Sequence, residues 1–135
     1  MSAALAARKL VEAFGSSEAM LAQLAPDVVW TLHFGTRAPG GSHTGLAAVR
    51  TLMQQVFGPV YRPETVRVSV HDAFGEGDRG VVRLQMQATT SWGAPYVNEY
   101  AVFVRTSPVG IVEVNEYVDG AKITQQLSPP TQERR

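Results

Sequence analysis

Residues 98–119 read "NEYAVFVRTSPVGIVEVNEYVD", two valine-rich runs joined by Thr-Ser-Pro-Val-Gly. The tetrapeptide Val-Asn-Glu-Tyr occurs in both runs, at Val97–Tyr100 and at Val114–Tyr117. β-Branched and aromatic residues alternating with polar ones mark strands, and a link containing Pro and Gly joins them as a hairpin. Pairing Arg105 with Ile111 across that link sets Tyr100 opposite Glu116 and Glu99 opposite Tyr117. One face then carries Asn98, Tyr100, Val102 and Val104 beside Val112, Val114, Glu116 and Val118. The other carries Glu99, Ala101 and Phe103 beside Ile111, Glu113, Asn115 and Tyr117. The valine-rich face is the one that meets helices, which leaves Glu116 as a carboxylate on an apolar wall. Such a carboxylate has a raised pKa unless a cation or donors compensate, and it suits a general base or a neutral acid. The structural alternative is that Glu116 pairs with Arg83 or Arg37 and closes the core.

Working outward, "GVVRLQMQAT" (80–89) puts Val82, Leu84, Met86 and Ala88 on one face and Arg83, Gln85, Gln87 and Thr89 on the other. "TVRVSV" (65–70) alternates in the same way, and "DVVWTLHF" (27–34) is a fifth strand-like run. Between the strands, "GEGD" and "SWGAP" read as turns. Three helices are predicted in the N-terminal half. The first places Leu5, Leu10, Val11 and Phe14 on one face and ends at Gly15. The second is capped by Ser16 or Ser17 and runs through Leu24 to a stop at Pro26. The third covers Leu46 to Phe57, with a stripe of Leu46, Val49, Met53 and Val56. Asp119 caps a short helix "AKITQQL". The glycine-rich stretch "GTRAPGGSHTG" (35–45) lacks the Gly-Lys-Ser/Thr ending of a phosphate loop and reads as a plain loop. The order α-α-β-α-β-β-β-β defines an α+β fold, a mostly antiparallel sheet with its helices on one face.

The chain has 135 residues, enough for one core, so residues 1–127 are read as a single domain and 128–135 ("SPPTQERR") as a disordered tail. Twelve Lys and Arg balance twelve Asp and Glu, so no net field draws the chain to nucleic acid or an anionic membrane. No cysteine is present, which removes disulfides, thiol catalysis and Cys-ligated zinc, and accords with a cytoplasmic location. The N-terminal stretch is too short and too charged for a membrane span. Its basic pair Arg8-Lys9 interrupts the apolar run instead of preceding it, unlike a signal peptide.

The segments "LAPDVVWTLHFG", "TGLAAVRTLMQQVF", "FGEGDRGVVRLQMQATT" and above all "NEYAVFVRTSPVGIVEVNEYVD" resemble the SnoaL-like proteins of the NTF2-like superfamily, which includes ketosteroid isomerases, limonene-type epoxide hydrolases and polyketide cyclases. The resemblance implies a strongly curved sheet around a cone-shaped cavity, closed by the three helices, and a homodimer through the outer sheet face. The aspartate that moves the proton in ketosteroid isomerases falls at Leu32, beside His33, and their second aspartate falls near Val102, so neither acid is present. The carboxylate of the epoxide hydrolases falls at Glu116, and their arginine and second aspartate fall at Arg83 and Gln85.

The expected function is a cofactor-independent enzyme acting on a small apolar metabolite by general acid/base chemistry, of isomerase, cyclase or epoxide-hydrolase type. Glu116, Tyr100 and His33 are the candidate catalytic residues. Trp30, Asn98, Val102, Val118, Arg83 and Trp92 are candidates for binding the substrate, with Phe34 and Tyr96 as further aromatic wall. The other reading is a non-catalytic ligand-binding or dimeric interaction module. No cofactor or metal is expected, since no two histidines share a ligand spacing. His43 is expected in solvent, and His71 in a turn before Asp72. The polar row Arg83, Gln85, Gln87 and Thr89 is expected to face outward and to form a wet dimer interface.

Overall fold

The computed structural model describes residues 1–34 and 40–129. Its elements are α1 (Ala3–Glu12), α2 (Ser17–Leu21), β1 (Leu24–His33), β2 (Gly41–Thr44), α3 (Leu46–Val56), a 3-10 turn (Pro63–Thr65), β3 (Arg67–Glu76), β4 (Arg79–Thr89), β5 (Pro95–Ser107), β6 (Gly110–Val118) and α4 (Gly120–Gln126). The fold is α+β. Six strands in the order β2-β1-β6-β5-β4-β3 form one curved, unclosed mixed sheet, with β1 and β6 parallel and every other pair antiparallel.

Period-two patterning decides which face is dry. Val82, Leu84, Met86 and Ala88 of β4, Tyr96, Asn98, Tyr100, Val102 and Val104 of β5, and Val28, Trp30 and Leu32 of β1 are all buried on the helix side. Arg83 and Gln87 stand exposed on the outer face. α1 packs across β3, β4 and β5 through Ala3, Ala6, Ala7, Leu10 and Val11. This corrects the predicted stripe: Leu5 is exposed, and small alanines bring the helix close to the sheet. The closest approach is at Gly80, where a Cβ would collide with the backbone of Ala3. Gly15, at φ +99°, turns the chain out of α1. Phe14 lies past the helix end and is half-buried against the core.

Other expectations shift. α2 ends at Leu21, so Leu24, Ala25 and Pro26 belong to β1; Pro26 sits in the irregular stretch between Leu24 and Val29, where no ladder partner is lost. The C-terminal part of the glycine-rich stretch forms β2, an antiparallel edge strand in which His43 pairs with Trp30 and is half-buried rather than in solvent. Gly35 to Pro39, Arg37 among them, and the tail from residue 130 lie outside the described residues.

The hairpin register differs from the expectation by two residues. Ser107 pairs with Gly110 around a two-residue turn, Thr106 pairs with Ile111, and Arg105 pairs with Glu113, which leaves Val112 as the extra residue of a bulge. Tyr100 therefore faces Val118, and Glu116 faces Val102. The bulge also turns Ile111 inward, where it is buried, against its predicted outer position.

Candidate active site in the cavity

Between the helices and the inner sheet face lies a cavity of about 430 Å³. Its sheet wall is Trp30 and Leu32 from β1, Met86 from β4, Tyr100 from β5, and Glu116 and Val118 from β6. Met20 of α2, Leu52, Met53 and Val56 of α3 and the residues Phe57, Pro59, Val60 and Tyr61 close one side; Ile123 and Thr124 of α4, with Leu127 at its C-cap, close the other. Phe14, Phe34 and Trp92 complete an aromatic and thioether-rich lining.

Among the described residues, Glu116 carries the only carboxyl group in that lining. Its strand β6 is flanked by β1 and β5, with Leu32 on one side and Val102 on the other, so the side chain has no sheet edge to escape over. Trp30, diagonal to it on β1, donates its indole Nε1–H to Oε1 at 3.0 Å. Oε2 has no partner among the described residues and is the oxygen left to the cavity. Desolvation raises the carboxyl pKa from 4.5 to about 7, and the Trp30 hydrogen bond opposes the rise. Among the described residues no arginine lies beside it: Arg83 pairs with Ala101 and Asp72 in the sheet and points outward, so the ion-pair reading with Arg83 fails on geometry, while Arg37 lies outside the described residues.

The second polar feature is a cluster of phenols. Tyr96 and Tyr100 are four residues apart on one face of β5, and their hydroxyls lie 2.7 Å apart. Asn98 sits between them in sequence, fully buried, and donates Nδ2–H to the Tyr96 hydroxyl at 3.0 Å. The Tyr61 ring packs on that of Tyr96 with centroids 5.0 Å apart. Tyr61 is held by backbone bonds from its N–H to Val56 O and from Gly58 N–H to its own carbonyl. Burial, first of all, raises the pKa of all three phenols, so each stays protonated and able to donate.

The structure brings together Glu116, Tyr100, Trp30, Val118 and Trp92 around the cavity. Asn98 and Val102 are buried just behind its wall, as is Tyr96. His33 and Arg83 are not part of it. His33 lies on the outer face, stacked on Tyr117 at 4.2 Å with Nε2 2.8 Å from Asn115 Oδ1, because β1 alternates and Leu32 takes the inward position. His71, expected in a turn, stands on β3 with Nε2 3.1 Å from Glu99 Oε1. Sequence reasoning missed Tyr61, whose irregular segment carries no periodic signal, and the α4 wall. The Tyr96-x-Asn98-x-Tyr100 alternation was the available sign of the phenol cluster. Among the described residues, no cluster of three or more His, Asp or Glu could hold a metal ion, and no helix is long and apolar enough to cross a membrane.

The curved six-stranded sheet with its helices matches the fold of NTF2-like proteins. The SnoaL-like domain family model matches residues 4–114, and the chain belongs to that family. Comparison with curated proteins finds no match. Among solved structures, an NTF2-like protein of unknown function from Burkholderia pseudomallei K96243 is 24% identical with a TM-score of 0.78, covering 96% of this chain and 100% of its own. A protein from Pseudomonas putida KT2440, provisionally named a polyketide cyclase, is 19% identical with a TM-score of 0.73, covering 95% and 99%. A protein of ketosteroid isomerase-like fold from Catenulispora acidiphila DSM 44928, in complex with trimethylamine, is 19% identical with a TM-score of 0.72, covering 94% and 93%.

Proposed function

We propose that this chain is a cofactor-independent enzyme that moves a proton on a small, largely apolar metabolite held in the cavity, as in isomerisation or cyclisation next to a carbonyl group. The observation that carries the reading is the lone carboxyl of Glu116, with a pKa of about 7 and one oxygen free toward the cavity. At neutral pH a large fraction of it is ionised and basic enough to take a proton from a carbon next to a carbonyl. The electron pair of that C–H bond moves onto the carbonyl oxygen, which the Tyr100 hydroxyl stabilises by a hydrogen bond. Return of the proton from Glu116 to another carbon completes an isomerisation; attack of the enolate carbon on a second carbonyl in the same molecule closes a ring, and the alkoxide so formed takes the proton back from Glu116. Epoxide hydrolysis is the weaker assignment, since Arg83 and Gln85 stand on the outer face.

The test is exchange of α-protons into D2O for a panel of small cyclic and aromatic ketones, followed by NMR. Glu116→Gln should slow exchange by roughly 10²-fold or more, the usual worth of a general base. Ketones that bind, by quenching of tryptophan fluorescence, yet exchange no faster than in buffer would favour the second reading, ligand binding without turnover. That second reading has its own support: aromatic rings and a lone carboxylate suit a small organic ammonium ion, and a structural neighbour holds trimethylamine.

We assign the outer sheet face to a homodimer in the cytoplasm. Phe74, Phe103 and Tyr117 are exposed there beside the polar row of β4, with Phe103 and Tyr117 in edge-to-face contact at 5.7 Å. A strict monomer by light scattering at high micromolar concentration would overturn the assignment.

A further inference from the structure

β5 runs past the end of β6, whose last residue, Val118, pairs with Tyr100. The backbone groups of Val97 and Glu99 that would have met β6 need other partners. Gln126 of α4 supplies them for Val97: its Oε1 accepts from Val97 N–H at 2.8 Å and its Nε2–H donates to Val97 O at 2.9 Å. Asn98 supplies one for Glu99, its Oδ1 accepting from Glu99 N–H at 2.8 Å. That bond fixes which end of the Asn98 amide is oxygen. The two Nδ2 hydrogens then go to the Tyr96 hydroxyl at 3.0 Å and to the carbonyl of Asp119 at 3.1 Å. Asp119 is the N-cap of α4, and the same carbonyl accepts the helix's opening bond from Ile123 N–H at 3.2 Å.

From this geometry we infer that Asn98 is a positioning residue that couples docking of α4 over the cavity to the direction of the hydrogen bonds running through Tyr96 to Tyr100. Asn98 donates into the Tyr96 oxygen, and in the proposed sense the Tyr96 hydroxyl donates in turn to the Tyr100 oxygen, one of the two directions that their 2.7 Å separation allows. The Tyr100 hydrogen is thereby sent into the cavity. When α4 lifts, the Asp119 carbonyl leaves, the amide loses one of its three anchors, and the chain of phenols loses its fixed sense. The inference rests on Tyr100 being the donor at the site, but its test reads hydrogen bonding and helix docking directly and is independent of turnover.

The experiment combines amide hydrogen exchange in α4 with the ring ζ-carbon resonances of Tyr96 and Tyr100, which respond to whether a phenol donates or accepts. Gln126→Ala should speed exchange at Ile123 and Leu127 and shift both tyrosine resonances. Asn98→Leu should speed the same α4 exchange by about tenfold, the worth of one buried hydrogen bond. In the Asn98→Leu background, Gln126→Ala should leave the tyrosine resonances where they are, because coupling is reciprocal and its carrier is gone. Asn98→Asp, of the same size and, measured above the pH at which its carboxyl ionises, able only to accept, serves where the leucine variant fails to fold, and it should move the Tyr100 resonance as the chain reverses. The inference is overturned by a Gln126→Ala protein with unchanged α4 exchange, by one with faster exchange and unmoved tyrosines, or by equal tyrosine shifts with and without Asn98.

Discussion

Replacing Glu116 with Gln keeps the shape of the side chain and an oxygen for the Trp30 indole while removing the ionisation. In the folded chain the Glu116 carboxyl titrates at about 7, against an ordinary value of 4.5. The folded protein therefore holds a proton that the unfolded chain has released between those two values. Stability falls as pH rises through that window, because the unfolded state binds fewer protons there, and levels off above about pH 7. At about 1.4 kcal/mol per pH unit, the loss approaches about 3 kcal/mol for wild type. Glu116 is half-buried and not sealed from solvent, and screening brings the expected figure to about 2 kcal/mol. Glu116→Gln has no such loss. Urea unfolding of both proteins from pH 4.5 to 9 isolates the effect, since every other titrating group is common to the two and cancels in the difference. The stabilities should nearly coincide at pH 4.5, and the variant should lead by about 2 kcal/mol above pH 8. A flat difference across the range, or a wild type that gains on the variant as pH rises, would show that the carboxylate is compensated, and the case for a poised base would go with it.

Trp30→Phe removes the hydrogen bond that holds the Glu116 pKa down, so the carboxyl should titrate above about 7, read from its δ-carbon resonance; an unchanged midpoint would place the indole bond outside the site's electrostatics. Gly80→Ala drives a Cβ into the Ala3 carbonyl where α1 crosses the sheet, and should cost about 1–3 kcal/mol in thermal unfolding. Asp119→Ala removes the side-chain acceptor for Ala121 and Lys122 N–H, and should fray α4 by about 1 kcal/mol, seen as faster exchange confined to that helix.

The fold was legible because its strands alternate cleanly. Val82, Leu84, Met86 and Ala88 against Arg83, Gln85 and Gln87 is a pattern only a half-buried strand explains, and α3 was found to within a residue of its end from one apolar stripe and Gly58. The misses have local causes. β2 is four residues of Gly, Ser, His and Thr at a sheet edge, with no apolar face to announce it. α1 buries alanines because it lies so near Gly75 and Gly80, and alanine carries little hydrophobic signal. His33 is a candidate from its place beside Leu32 near the end of a strand-like run, yet strand phase decides, and Leu32 takes the inward position.

The repeated Val-Asn-Glu-Tyr segments are two walls of one cavity, but they serve it in opposite phase. The β5 copy turns Asn98 and Tyr100 inward and Glu99 out, whereas the β6 copy turns Val114 and Glu116 inward and Asn115 and Tyr117 out. The bulge at Val112 makes this arrangement possible. A two-residue turn at Pro108 and Val109 alone would continue the Ser107–Gly110 pairing to Tyr100 opposite Tyr117, setting the apolar face of one strand against the polar face of the other. One extra residue restores the phase and moves Glu116 next to Val102. Directly opposed side chains have Cβ atoms about 5 Å apart, close enough for a phenol and a carboxyl to satisfy each other and leave nothing for a ligand. The diagonal relation of Tyr100 and Glu116 opens that to roughly 7–8 Å. Phenol and carboxyl then flank a space instead of closing it, which is the arrangement the proposed proton transfer on a carbonyl compound requires.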